Sequence, residues 1–391
     1  MNSQVFFYNM KRINYNKQFT DEKDAQIVLE AIKSKLITSG NFVNLFEKKI
    51  CRFLKVKHAI TCINGTAGLD LAFRSIGLEP ENNVVMPVVN FVASYSMAKK
   101  IGAKIYLADV DPITGQMTPE TLLDCIKKNK LKKIKAVVTM YLGGYAENVI
   151  NFYKLKKKYS FYLIEDACHA FGAKYQYNNN KLMVGCCKHS DVSVFSFHPV
   201  KTITTGEGGM IFTDDDNLAE KCRKLRNMYF QEDKRFVHEK LGWNLRMTNI
   251  QASLGVAQLE RLDDFVLKKR WIGHKYNELL KELDGIQLPL PKTNYSENIY
   301  WVYGVVLDDT IKFSASEAIK LLTKHNVGSR PFFFPIHQQP VLKKLGLFLD
   351  EKYPVAEKLY QRGFYIPSGL ALNEKQLEEV ASILKSIIKS K

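Results

Sequence analysis

Short β-branched and aromatic runs recur between residues 59 and 214, each bounded by polar or glycine-containing stretches. Seven read as strands: AITCI (59–63), NVVMPV (83–88), KIYLADV (104–110), KAVVTMYL (135–142), FYLIEDA (161–167), DVSVFSF (191–197) and GGMIFTD (208–214). Between most of them apolar positions recur at helical spacing, over 67–77, 92–101, 118–128 and 147–159. This alternation predicts an α/β fold, a mostly parallel seven-stranded sheet with helices on both faces. The last two strands are joined by about ten residues without a helix pattern, too short for a helical crossover, so one of that pair can run antiparallel.

A further helix pattern covers 217–230. The stretch TNIQASLGVAQLERLDDFVLKKR then opens with Thr248 and Gln251 in capping-box spacing and carries apolar residues at 250, 254, 259, 262 and 266. It predicts a long helix leading out of the first domain. A turn at LPLPK (288–292), a strand at YWVYGVVL (300–307) and helices at 314–325 and 374–389 predict a small α/β domain. At 391 residues the chain exceeds the usual single-core limit of roughly 250–300. The expected division is a lead over 1–20, a large domain over 21–268 and a small domain over 269–391.

Composition adds bounds rather than a function. With 46% hydrophobic and 25% charged residues the chain is of ordinary globular type. The net charge of +17 raises the question of nucleic acid, but much of it sits in KKNKLKKIK (127–135) and KLKKKY (154–159), which lack aromatic interleaving and read as solvated helix faces. A basic field also attracts anionic small molecules, such as a sugar nucleotide or a phosphorylated cofactor. The seven cysteines form no CxxC pair, and Cys186, Cys187 and His189 fall short of four convergent metal ligands. Reduced thiols, the absence of a signal-peptide pattern in MNSQVFFYNMKRINYNKQF, and no apolar run of about 18 residues point to a cytoplasmic protein without a membrane span.

Candidate chemistry gathers at four strand ends, where open parallel sheets bind ligands. INGTAGLDLAF closes a strand and opens a helix at Thr66 and Ala67, whose free amides and dipole suit a phosphate; a plain helix cap is the competing reading. Phe91, in VVNFVASYSM, sits at the sheet rim, where an aromatic ring can stack on a heterocycle or simply be buried. In LIEDACHAFGA, Glu165 and Asp166 end a buried strand, an expensive place for charge unless it is paired; Asp166 either caps a helix or holds a proton on a ring nitrogen, and His169 lies nearby. Finally, SFHPVKTITTGEGGM places Lys201 after an apolar strand, with Ser196 five residues earlier and a glycine-rich turn behind it. An imine-forming lysine needs a desolvated site to lower its pKa, which this context offers.

Taken together and in this order, NGTAGLDLAF, IEDACHAFGA, VFSFHPVKTITTGEGGMI, GWNLRMTNIQASLGVAQLERLD and SRPFFFPIHQQP resemble the nucleotide-sugar aminotransferases of the DegT family. The resemblance spans nearly the whole chain. It implies the aspartate-aminotransferase fold and pyridoxal 5'-phosphate as cofactor. It further implies Lys201 as the catalytic lysine that carries the cofactor, Asp166 on its ring nitrogen, His169 near its phenolic oxygen and Phe91 stacked on its ring. Thr66, Ala67 and Ser196 match phosphate ligands. Asn244 matches a residue reaching the neighbouring subunit's cofactor, which implies a homodimer with shared sites. Arg330 and His337 match positions that shape the sugar pocket.

The motifs are most similar to those of sugar 4-aminotransferases, which implies transfer from L-glutamate to C4 of a nucleotide-linked 4-keto-6-deoxyhexose, with a perosamine- or viosamine-type product for surface glycans. Asn90, where the family usually has Thr, and the long lead depart from the pattern. A 3-aminotransferase or 3-dehydratase is the nearest alternative; the dehydratases carry His at the lysine position, whereas Lys201 is kept. A nicotinamide dehydrogenase would need G-x-G-x-x-G, which NGTAGLD lacks. A nucleic-acid-binding protein is the distant alternative.

Overall fold

The computed structural model describes residues 12–231, 234 and 236–389; residues 1–11 of the expected lead lie outside the described residues. The first strands are β1 (His58–Cys62), β2 (Asn83–Pro87), β3 (Lys104–Ala108), β4 (Ala136–Met140) and β5 (Tyr162–Asp166). A separate hairpin, β6 (Lys174–Tyr177) and β7 (Asn180–Met183), precedes β8 (Val192–Ser196) and β9 (Gly209–Thr213). All but the hairpin form one sheet in the order β1-β9-β8-β5-β4-β2-β3. β9 is antiparallel to both β1 and β8, as its helix-free link from β8 requires, and the other pairings are parallel.

Each strand feeds two cores, because successive side chains point to opposite faces. Val84, Val138 and Ile164 enter one cluster, while their neighbours Val85, Val137 and Leu163 enter another. This two-sided burial explains why the central strands read as continuous apolar runs; all five residues of β4 are buried.

Helix starts follow local capping chemistry. Thr118, Thr248 and Ser314 each accept from the backbone three residues on and complete a capping box. The single long helix expected from 248 is two, Asn249–Glu260 and Leu262–Leu280, broken at Arg261; the second runs through the expected division at 268–269. The helix expected over 217–230 stops at Arg226, and Met228 and Tyr229 take left-handed φ values of 57° and 53°.

A second sheet, β10 (Ile286–Gln287), β11 (Tyr303–Leu307), β12 (Arg330–Pro331) and β13 (Gly363–Ile366), is antiparallel in the order β10-β11-β13-β12. Tyr303, Val305 and Phe364 pack there with Tyr276, Leu322 and Leu384 from three helices. The strand expected from residue 300 begins three positions later, since Tyr300 has φ +53° and cannot join a ladder. Among the described residues no helix is long and apolar enough to cross a membrane.

Candidate active site

The C-terminal ends of β4, β5 and β8 line a cavity of about 420 Å³, together with the start of the helix Gly65–Ser75. Of the residues named from sequence, Thr66, Phe91, Asp166, His169, Ser196 and Lys201 all line it. Parallel strands deliver their ends to one edge, so positions distant in sequence converge there.

Strand alternation separates the two carboxylates of β5. Glu165 points away from the cavity and accepts from the Tyr141 hydroxyl at 2.8 Å; burial raises its pKa. Asp166 lines the cavity and is 3% exposed; its Oδ2 accepts from Ser94 Oγ at 3.1 Å and its Oδ1 from the Cys168 amide at 3.3 Å. Two donors hold the carboxylate in place without neutralising it, so it can still pair with a cationic ring nitrogen.

Lys201 follows β8 on a short loop, and its Nζ lies 4.5 Å from the Trp301 ring centroid. Burial pushes the amine below the ordinary lysine range; Cys168 and Asp166 act in the opposite sense, and burial prevails. His169 is 3% exposed and stacks on Trp301, with centroids 3.4 Å apart and planes 22° apart. Its Nδ1 has no hydrogen-bond partner among the described residues. Burial first, and the Lys201 charge second, hold its pKa well below the usual value, so the imidazole is neutral. Cys168 stays a thiol, because burial and Asp166 both raise its pKa.

Phe91 is 53% exposed at the start of the helix Val92–Ile101, with its ring 6.1 Å from that of Phe333. The neighbouring Asn90 is buried, and neither side-chain polar atom has a partner among the described residues. At the phosphate turn Asn64 Oδ1 already accepts from the Ala67 amide at 2.8 Å, so Ala67 is used by the helix cap and does not line the cavity. Thr66 and Ser196 remain at the cavity wall.

Three expected residues lie elsewhere. Asn244 is exposed and bridges Asn227, outside this chain's cavity. Arg330 is exposed on β12, donating to its neighbour's carbonyl, Ser329 O, at 2.9 Å, with its guanidinium 5.6 Å from the Tyr15 ring. His337 corrects the expectation of a pocket residue: it is 1% exposed, its Nε2 pairs with Glu357 at 2.9 Å, and its ring packs edge-on to Tyr353, so in this chain it is a core group. Sequence reading missed Trp301, Phe333, Ser94 and Cys168. Trp301 is one of only three tryptophans, but the run YWVYG reads simply as a strand start.

The donor set fits pyridoxal phosphate. A buried amine of lowered pKa, a carboxylate held by two donors, a helix N-terminus with Thr66 and Ser196 beside it, and an aromatic at the rim share one cavity.

Comparison with known proteins agrees. The model of the DegT/DnrJ/EryC1/StrS aminotransferase family matches residues 18–385. The chain is 33% identical over 370 residues to GDP-perosamine synthase of Vibrio cholerae, covering 94% of this chain and 96% of that one. It is 29% identical over 379 residues to the UDP-4-amino-4,6-dideoxy-N-acetyl-beta-L-altrosamine transaminase of Campylobacter jejuni, covering 96% and 97%. Helicobacter pylori PseC, an aminotransferase of pseudaminic acid biosynthesis, superposes with a TM-score of 0.90 at 26% identity over 97% of this chain and 100% of that one. This chain therefore belongs to the DegT/DnrJ/EryC1/StrS aminotransferase family, as a sugar aminotransferase whose cofactor is pyridoxal phosphate.

Proposed function

We propose that this enzyme moves the amino group of L-glutamate to C4 of a nucleotide-linked 4-keto-6-deoxyhexose, giving a product of perosamine or viosamine type. The observation that carries the reading is the Lys201 amine, its pKa lowered by burial, sharing a cavity with the Asp166 carboxylate. Near-full-length similarity to GDP-perosamine synthase and to a 4-amino-sugar transaminase supports C4 as the acceptor carbon.

Pyridoxal phosphate, when bound, supplies an aldehyde and an electron-withdrawing ring that acidifies the α-hydrogen of an attached amine. The rest falls to the chain. Lys201 would bear the cofactor and, once released, would carry a proton between the donor carbon and the cofactor; that task needs an unprotonated amine, and burial shifts Lys201 toward that form. Asp166, held by Ser94 and the Cys168 amide, would keep a proton on the ring nitrogen. His169, neutral, offers a hydrogen bond to the phenolic oxygen without adding charge. Thr66 and Ser196 would take the phosphate at the helix N-terminus, and Phe91 would lie against the ring.

Asn244, exposed and outside its own cavity, is placed where it could serve the site of a second subunit, which supports the homodimer that the family resemblance implies. All seven cysteines are free thiols, which supports a reducing, cytoplasmic setting.

The purified protein should show a visible cofactor band that glutamate bleaches and that is missing in Lys201→Ala. With GDP-, UDP- and dTDP-linked 4-keto-6-deoxyhexoses in turn, NMR of the product should place nitrogen on C4. A colourless protein that pyridoxal phosphate cannot reconstitute, or an amine found on C3, overturns the reading.

A further inference from the structure

Residues 13–19 run against the rest of the chain and end at the lysine's loop. Ile13 forms a parallel bridge with Val327, its N–H donating to Asn326 O at 3.0 Å and its carbonyl accepting from the Gly328 N–H at 2.8 Å. Tyr15 O accepts from the Ser368 N–H at 3.2 Å. Phe19 O accepts from Gln258 Nε2 at 3.1 Å, and its ring meets Phe265 edge-on at 6.0 Å. Two glycines seat this segment: a Cβ at Gly328 would lie 2.6 Å from Tyr15 N, and one at Gly369 would lie 2.8 Å from Lys17 N. Close approach, rather than a left-handed backbone, is what requires glycine at both positions.

Between these anchors Asn16 Nδ2 donates to Val200 O at 3.0 Å. The same carbonyl accepts from Trp301 Nε1 at 2.8 Å. Val200 C=O and Lys201 N–H belong to one planar peptide unit, and the Lys201 N–H donates to His198 O at 2.8 Å. Three hydrogen bonds therefore fix that plane from both ends, and with it the position of the Lys201 Cα from which the side chain leaves the backbone. Trp301 is itself anchored, because Lys269 Nζ donates to its carbonyl at 2.9 Å.

We propose that Asn16 and Trp301 are positioning residues for Lys201, and that the segment 13–19 is a strap holding the lysine's loop against the cavity. Neither group need touch the reacting atoms. By fixing the point from which the side chain starts, the strap narrows the volume its amine explores before it meets a carbonyl. This rests on the reading of Lys201 as the cofactor-bearing amine.

The test is capture of an aldehyde by the protein freed of cofactor. Pyridoxal is added across a pH series; Nζ joins its aldehyde carbon with loss of water, and borohydride, as hydride donor, makes the link permanent for peptide mass analysis. In Asn16→Leu, Lys201 labelling should slow about two- to tenfold, the effect of one lost donor. The pH inflection of that labelling, the labelling of exposed Lys375 and the unfolding midpoint should match wild type. Equal Lys201 rates in variant and wild type overturn the strap. If Asn16→Leu does not fold, Asn16→Asp, which keeps the shape but cannot donate, decides between the same two outcomes. Failure of Lys201 to be labelled in the wild-type protein overturns the functional reading itself, and the strap with it; an unchanged variant overturns the strap alone.

Discussion

Replacing Lys269 with Met should remove a large pH dependence from the stability of the protein. Lys269 is 2% exposed, and its Nζ donates to the carbonyls of Trp301 and Ser368 at 2.9 and 2.6 Å. Burial pushes its pKa from 10.5 down to about 7. An uncharged amine has two N–H bonds, and two carbonyls take them, so the neutral form loses no hydrogen bond on burial.

Between pH 7 and 10.5 the unfolded chain then holds a proton that the folded chain does not. Stability rises with pH across that window, at about 1.4 kcal/mol per pH unit, and the contribution is at its minimum below pH 7. From pH 7 to 9 the gain is about 2.7 kcal/mol, and over the whole window about 5 kcal/mol. Lys269→Met has no such group and leaves two carbonyls unpaired, at about 1–3 kcal/mol each. Urea unfolding of both proteins at pH 7, 8 and 9 isolates the residue, because every other titrating group is common to the pair. The wild-type advantage should grow with pH. Parallel stability curves would refute the argument and mean that the amine is buried as a cation.

Asp166→Asn should still bind pyridoxal phosphate but lose about two orders of magnitude in transamination, since an amide cannot hold the ring nitrogen's proton; single-turnover bleaching by glutamate measures it. By NMR the His169 ring should titrate well below a free imidazole, because burial and the Lys201 charge both oppose protonation, and Lys201→Met should move its pKa upward. Mixing Lys201→Ala with Asn244→Ala, each inactive alone, should restore about a quarter of wild-type activity, because half of randomly paired dimers carry one complete site. No recovery on mixing would place Asn244 in its own subunit's chemistry.

The large sheet was legible because its strands are buried on both faces, which leaves seven apolar runs in the sequence; even the antiparallel strand β9 was signalled by a link without a helix. The hairpin Lys174–Met183 gave no such pattern, since of its residues only Tyr175 is buried. The cavity was legible where a residue ends a strand: Asp166, Ser196 and the loop to Lys201. His337 misled because sequence position gives no direction for a side chain, and this one turns inward to Glu357. Trp301 was invisible for the opposite reason, as a ring from beyond the large sheet that reaches the site only through the tertiary fold. Ala67 shows a third limit: the phosphate turn was recognisable, but not that Asn64 already occupies its amide.

The contacts of residues 13–17 with Val327, Gly328 and Ser368 also bear on synthesis. A ribosome releases the loop at 198–201 long before either partner segment exists, so Val200 O lacks Asn16's seated amide until nearly all of the chain has emerged. Translation can complete the cavity walls at β4, β5 and β8 early, but not the clamp on the peptide before Lys201. Contacts of such long sequence separation slow folding, because the entropy of closing a long loop opposes them. Efficient loading should thus be a property of the finished polypeptide, since the clamp needs residues 13–17, Gly328 and Ser368 together.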